Sequence, residues 1–251
     1  MQKNINRPFL IAGGVCAIAW PLLSELAFYA LYPLLAGSDR ISVGAGMADI
    51  LRGTAALGGN RAILALEWSR VAAPLLLLVF LSALCHLLRH RGAHGLALTA
   101  LWLGGLSVSF SIFANTFNST LNHALGQAYV IAGSESEQAS ILAVFESLGA
   151  WHRGINQAAS LLYQGCVALF GVALLRLRIW RLWGALGLAG AGIALIAKLT
   201  PGLEGVTNFA WTGLAYCFWP IALGIGLIRI RGDGPQKESH GEVSAIRSPS
   251  P

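Results

Sequence analysis

The sequence predicts an all-α polytopic membrane bundle of six transmembrane helices with both termini in the cytoplasm. Three observations carry this expectation. Of 251 residues, 55% are hydrophobic and only 11% are charged, with a mean hydropathy of +0.64, so the chain has too little polar surface to cover a soluble globule of its size. Six apolar stretches approach the roughly 20 residues needed to cross a bilayer, near 9–35, 66–88, 95–117, 152–176, 181–199 and 206–229. The basic residues then fall unequally on the two sides that this threading creates. Lys3, Arg7, Arg89, Arg91, Arg176, Arg178, Arg181, Arg229, Arg231, Lys237 and Arg247 make 11 of the 17 Lys and Arg residues on one side. Arg40, Arg52, Arg61, Arg70, Arg153 and Lys198 make 6 on the other. The positive-inside rule makes the richer side cytoplasmic, and the chain is expected in the cell (inner) membrane as a multi-pass protein.

The first stretch, Pro8 to Gly37, follows Lys3 and Arg7 as a signal peptide would. It is far longer than the 7–15 residues of such a core and is interrupted by Pro21, so it is expected to stay as the first span. Between spans one and two, Met47, Ile50 and Leu51 alternate with Asp49 and Arg52, which suggests a short interfacial helix ended by Gly58-Gly59-Asn60. Spans two and three are joined by a basic turn at Arg89 and Arg91. Span three is expected to end in a loop from Asn118 to Ser140, whose Gly133-Ser134-Glu135-Ser136-Glu137 is a solvated break. Span four ends in Arg176, Arg178 and Arg181. Span five carries Gly184, Gly187, Gly190 and Gly192, a small-residue surface for close helix packing. From Gly232 the chain reads as a disordered cytoplasmic tail, residues 232–251.

Two polar seams interrupt the apolar runs. At about 100° per residue, Glu146, Arg153, Gln157 and Gln164 fall within roughly 20° of one line on span four, with Ser160 and Gly171 beside it. His152 and Asn156 share a second face. On span three, Ser107, Ser111, Asn115, Asn118 and Asn122 occupy an arc of roughly 80°, with Gly104 on the same side. Polar groups in hydrocarbon turn toward protein or water, so the seams face inward. They either bond directly between helices or line a wet pocket. Arg153 lies about 34 Å along the helix from Arg176, near the outer boundary. Glu25, Glu67, Arg70, His123, Lys198 and Glu204 belong at comparable heights, so charge concentrates in the outer third.

Candidate ligand-binding residues are therefore Asn115, Asn118, Glu146, His152, Arg153, Asn156, Gln157 and Gln164, in an outward-facing pocket between spans three and four. The occupant would be a small polar or amphiphilic molecule. One alternative is an intramembrane enzyme pairing His152 or His123 with Glu146 or Glu67; another is a structural or assembly subunit. No cofactor or metal is expected. Cys16, Cys85, Cys166 and Cys217 sit in apolar runs without metal-type spacing, and Arg89 and Arg91 flank the His86/His90 pair. The basic residues lie between apolar runs rather than on a polar domain, which excludes nucleic acid as partner and leaves the lipid bilayer. No Walker loop, dinucleotide fingerprint, His-Glu-x-x-His or Gly-x-Ser-x-Gly occurs.

The segment Phe145-Glu146-Ser147-Leu148-Gly149-Ala150-Trp151-His152, then Phe170-Gly171-Val172-Ala173-Leu174-Leu175-Arg176 and Leu182-Trp183-Gly184-Ala185-Leu186, resembles a bacterial six-span family, the one catalogued as domain of unknown function 4386. The chain differs from that pattern at Arg153 and near Trp180, where a proline is expected. The resemblance implies six helices over roughly residues 9 to 230 and no established activity.

Overall fold

The computed structural model describes residues 6–36, 46–200 and 216–230. Among these the chain is helical, with no strand. The first apolar stretch forms α1 (Arg7–Pro21), a π-helical turn (Leu22–Leu26) and α2 (Ala27–Ala36). The remaining helices are α3 (Met47–Leu57), α4 (Arg61–His90), α5 (His94–Ile131), α6 (Glu135–Arg176), α7 (Arg181–Leu199) and α8 (Trp219–Arg229). Four of these units are long and apolar enough to cross a membrane: Arg7–Ala36, α4, α5 and α6. Arg181–Ala197 and Tyr216–Arg229 are shorter apolar helices. The expected tail from Gly232, and Asp39, Arg40 and Glu204, lie outside the described residues.

The break in the first helix has a local cause. Pro21 has no N–H to donate and its ring crowds the preceding turn. The Leu22 N–H turns to the Ala19 carbonyl, and the next five residues take the wider π geometry. Elsewhere caps mark the ends: Asn6 Oδ1 accepts from the Phe9 N–H at 3.3 Å, and Asn60 Oδ1 from Ala62 and Ile63 at 3.0 and 3.3 Å. α3 forms as expected and stops at Gly58-Gly59.

The largest departure is between α5 and α6. The stretch Asn118 to Ser140, expected as a loop, is helix except for Ala132–Ser134, where Ser134 accepts from the Glu137 N–H at 3.2 Å and caps α6. At 1.5 Å per residue the 38 residues of α5 reach about 57 Å and the 42 of α6 about 63 Å, roughly twice a bilayer core. Polar residues after Asn118 ended the apolar run without ending the helix. Asn, Ser and Thr are poor helix formers but not breakers, and Leu121 and Leu125 continue the apolar pattern toward α6.

Side-chain contacts gather the basic turns at one end of the bundle. Phe9 at the start of α1 meets His86 near the end of α4, ring centroids 5.7 Å apart. A Cβ added at Gly14 of α1 would lie 2.6 Å from Ile228 of α8, and one at Gly226 of α8 would lie 2.7 Å from Trp180. Arg7, Arg89, Arg91, Arg176, Arg178, Arg181 and Arg229 thus share an end. The core below is built from Leu10, Leu77, Phe80, Leu81, Leu84, Phe170, Leu174 and Leu223, all at most 2% exposed. Small residues set the helix spacing: Gly13 faces Ala83, Gly104 faces Leu81 and Cys166, and Gly171 faces Gly184. Two of span five's glycines pack within the chain, Gly184 against α6 and Gly187 under the Trp219 indole, whereas a Cβ at Gly190 or Gly192 would meet nothing within 4 Å among the described residues. All four cysteines are free.

Candidate functional site

At the end away from the basic turns, the floor is aromatic. Trp20, one turn before the π-helical break, packs on Tyr216 (centroids 4.7 Å) and Tyr163 (6.0 Å), and the two tyrosines lie 4.8 Å apart. Tyr216, just before α8, shares a side-chain hydrogen bond with Ser111 of α5 and stands in the field of both Glu25 and Arg70. It joins the apolar core to a charged layer.

That layer is built on the break. Glu25 rides on the π-helical turn, and Arg70 of α4 is close enough to act on its carboxylate by Coulomb attraction. Asn115 of α5 donates its amide N–H to the Arg70 carbonyl at 3.2 Å, which holds α5 to α4 at this level. One turn up α4, Glu67 Oε2 lies 2.9 Å from His123 Nε2. The other ring nitrogen, Nδ1, lies 3.0 Å from the Thr54 carbonyl of α3. A carbonyl only accepts, so Nδ1 carries hydrogen, and one further proton occupies the Nε2–Oε2 contact. The side chains of the pair are 15% and 19% exposed. Tyr32 of α2 stands in the field of Glu67.

α3 closes the layer from one side. Its fit depends on Gly126 of α5, where a Cβ would stand 2.7 Å from both the Leu51 carbonyl and Thr54 Oγ1. The Thr54 hydroxyl donates to the Leu51 and Asn122 carbonyls at 3.0 and 3.3 Å, and Gln127 Nε2 donates to the Ala55 carbonyl at 3.0 Å. The Asp49–Arg52 pair at 3.0 Å is solvent-exposed and contributes little.

The eight sequence-predicted residues divide. Asn118 and His152 line a cleft of about 80 Å³ between α5 and α6, among Phe117, Leu121, Phe145 and Leu148. That is room for two or three waters. Asn122 Nδ2 donates to Asn118 Oδ1 at 2.6 Å, and Asn156 Nδ2 lies 3.0 Å from His152 Nε2. Arg70 acts on His152 electrostatically, so the cleft adjoins the charged layer. Glu146, Arg153 and Gln157 do not join the others: all three are exposed. Further along the same line Ser160 and Gln164 are buried, 9% and 4% exposed. Gln164 finds no hydrogen-bond partner for either amide atom, and the Ser24 hydroxyl beside Glu25 likewise has none.

The span-three seam is mainly an adhesive. Ser107 donates to the Ala159 carbonyl of α6 at 2.7 Å and Asn115 to α4, so direct bonding accounts for its lower half. The charged groups that do converge, Glu25, Arg70, Glu67 and His123, share a common height in the sequence reading, whose enzyme alternative pairs His123 with Glu67, but Glu25 and Arg70 are not joined to that pair there. Their equal distance from the basic turns was the available signal. Thr54 and Tyr216 gave none, since their roles come from α3 folding back and α8 starting beside Trp20. Among the described residues no cluster of three or more His, Cys, Asp or Glu side chains forms a metal site. No family model, curated protein sequence or solved structure matches the chain.

Proposed function

We propose that this protein is a six-span inner-membrane protein, both termini cytoplasmic, that binds or passes a small zwitterionic molecule at the charged layer around the broken first helix. The resemblance to the bacterial six-span family is part of the same proposal. The observation that supports it is that Glu25, on a non-α turn of a membrane helix, lies within electrostatic range of Arg70. Ionisable groups inside apolar helices are expensive and mark ligand or ion pathways. Breaks in such helices free backbone groups beside a cavity. A carboxylate and a guanidinium in one layer complement an ammonium and a carboxylate on one ligand. The cleft of about 80 Å³ beside this layer has room for two or three waters and not for such a ligand, so binding requires it to widen.

The test is thermal unfolding of the detergent-solubilised protein against amino acids and betaines at millimolar concentration. At least one should raise the melting temperature of the wild type and leave Glu25→Gln and Arg70→Gln unmoved. A panel without effect, or an effect retained in both variants, would overturn the reading.

A second reading, an acid–base enzyme, has the 2.9 Å His123–Glu67 contact in its favour. Both ring nitrogens of His123 are engaged within the protein, however, which leaves no atom to exchange a proton with substrate. The pair is better suited to holding α3 in place.

A further inference from the structure

At the basic end, the two non-glycine residues with left-handed backbone, Arg178 (φ 57°) and Trp180 (φ 45°), lie in the turn between α6 and α7. A bulky residue held there is strained and persists only because its surroundings hold it. Trp180 is held against Gly226, where a side chain would collide with its ring, and Trp183 is tied to α8 because its carbonyl accepts from Trp219 Nε1 at 3.0 Å. Between the two indoles and α8 runs a groove of about 570 Å³. Its α8 wall recurs at Phe218, Ile221, Ala222, Ile225 and Arg229, one helical face over three turns, roughly 16 Å long. The groove is thus elongated and apolar, with a guanidinium at one end.

Arg229 is exposed and makes no ion pair among the described residues. Arg176, Arg178 and Arg181 border the same turn, and no carboxylate lies in Arg176–Leu199 or in α8. The outer edge is apolar as well, with Leu182 and Phe218 each 65% exposed. Tryptophans at this level are the usual residents of the headgroup boundary, and arginine binds a phosphate oxygen pair through its planar fork.

We propose that this groove is a site for one anionic phospholipid, an acyl chain lying along α8 between Trp180, Trp183 and Ile225, and the phosphate on Arg229. The charge selects an anionic headgroup over a zwitterionic one, and the length of the apolar wall selects a chain over a soluble anion. The phosphate end of the site lies at the opposite end of the bundle from the charged layer, and the site does not depend on that layer's function.

The experiment measures the melting temperature of the full chain in dodecyl maltoside with added dioleoyl phosphatidylglycerol or dioleoyl phosphatidylcholine. With phosphatidylglycerol well above its dissociation constant, the wild type should rise on the order of 5 °C more than with phosphatidylcholine. Arg229→Gln should abolish the difference, and Ile225→Trp, which fills the groove, should do so with the charge intact. Arg91→Gln removes the same charge from another basic turn and should keep it. Equal effects of the two lipids, an unchanged difference in Arg229→Gln, or equal losses in Arg229→Gln and Arg91→Gln would overturn the proposal. The last result would mean that surface charge alone attracts the lipid. A difference seen only after removal of residues 232–251 would also overturn it, because the chain's own tail would then be the occupant.

Discussion

Removing His123 should detach α3 from the bundle, and the loss is calculable from its contacts. The ring makes two hydrogen bonds, to Thr54 at 3.0 Å and Glu67 at 2.9 Å. The Thr54 carbonyl also accepts from the Gly58 N–H at 3.0 Å, so His123→Ala leaves it satisfied and forfeits only an ordinary bond, about 1 kcal/mol. The Glu67 carboxylate is different, since it is a charged acceptor less than a fifth exposed and His123 is the ionic partner within reach of it among the described residues. Losing a charge-assisted bond there costs about 2 kcal/mol, less than the deep-interior penalty because some water reaches it. His123→Ala should therefore destabilise by about 3 kcal/mol and Glu67→Ala by about 2. The double variant should lose only about 3 in total, a coupling of about 2 kcal/mol. Equilibrium unfolding in mixed detergent micelles measures all four corners of the cycle. Glu67→Gln adds a check on the proton accounting. Its amide N–H can donate to an unprotonated Nε2, which keeps the bond and removes the charge, so it should lose about half as much as Glu67→Ala. A coupling below about 0.5 kcal/mol would refute the assignment of this pair as the clasp that holds α3.

Further outcomes follow from the packing. Gly14→Ala and Gly224→Ala each place a Cβ 2.5–2.7 Å from the opposite helix's carbonyl, so both should destabilise by about 1–3 kcal/mol despite better helix propensity. Gly105→Ala meets nothing within 4 Å and should be neutral or slightly stabilising; thermal melts of the three decide whether the α1–α8 crossing is backbone-to-backbone. Trp219→Phe keeps the packing on Phe80 (centroids 6.1 Å) but loses the bond to the Trp183 carbonyl, and should cost about 1 kcal/mol in the same melts. The six-span orientation is tested by single cysteines at Arg91 and Ser134 in intact cells. An impermeant maleimide should label Ser134→Cys and spare Arg91→Cys; the reverse pattern would invert the topology. Gln164→Leu, which replaces an unpartnered buried amide, should be neutral or stabilising in detergent if that amide serves no ligand, a comparison best read beside the amino-acid panel.

Residue chemistry alone determined that the chain is helical and apolar enough to cross membranes, that Pro21 would break the first run, that Gly58-Gly59 would end α3, and that bases would gather at the turns. These are local or one-dimensional properties: hydropathy, missing donors and 3.6-residue periodicity act within a few turns of the residue that causes them. The direction of the seams was legible too, since Ser107, Asn115 and Gln164 all face protein, as the price of exposing polar groups to hydrocarbon requires. Which of those residues would meet was not. Glu146, Arg153 and Gln157 lie on the same helical line as Gln164, yet they are exposed and it is buried, because neighbouring helices cover the line only from about Ser160 onward. Only tertiary structure decides where that cover begins. It also brought Thr54, Glu67 and His123, far apart in the chain, into one clasp, through a glycine at 126 that lets α3 lie against α5. Periodicity specifies the face a side chain occupies, while contact across helices depends on crossing geometry and lengths that no single helix encodes.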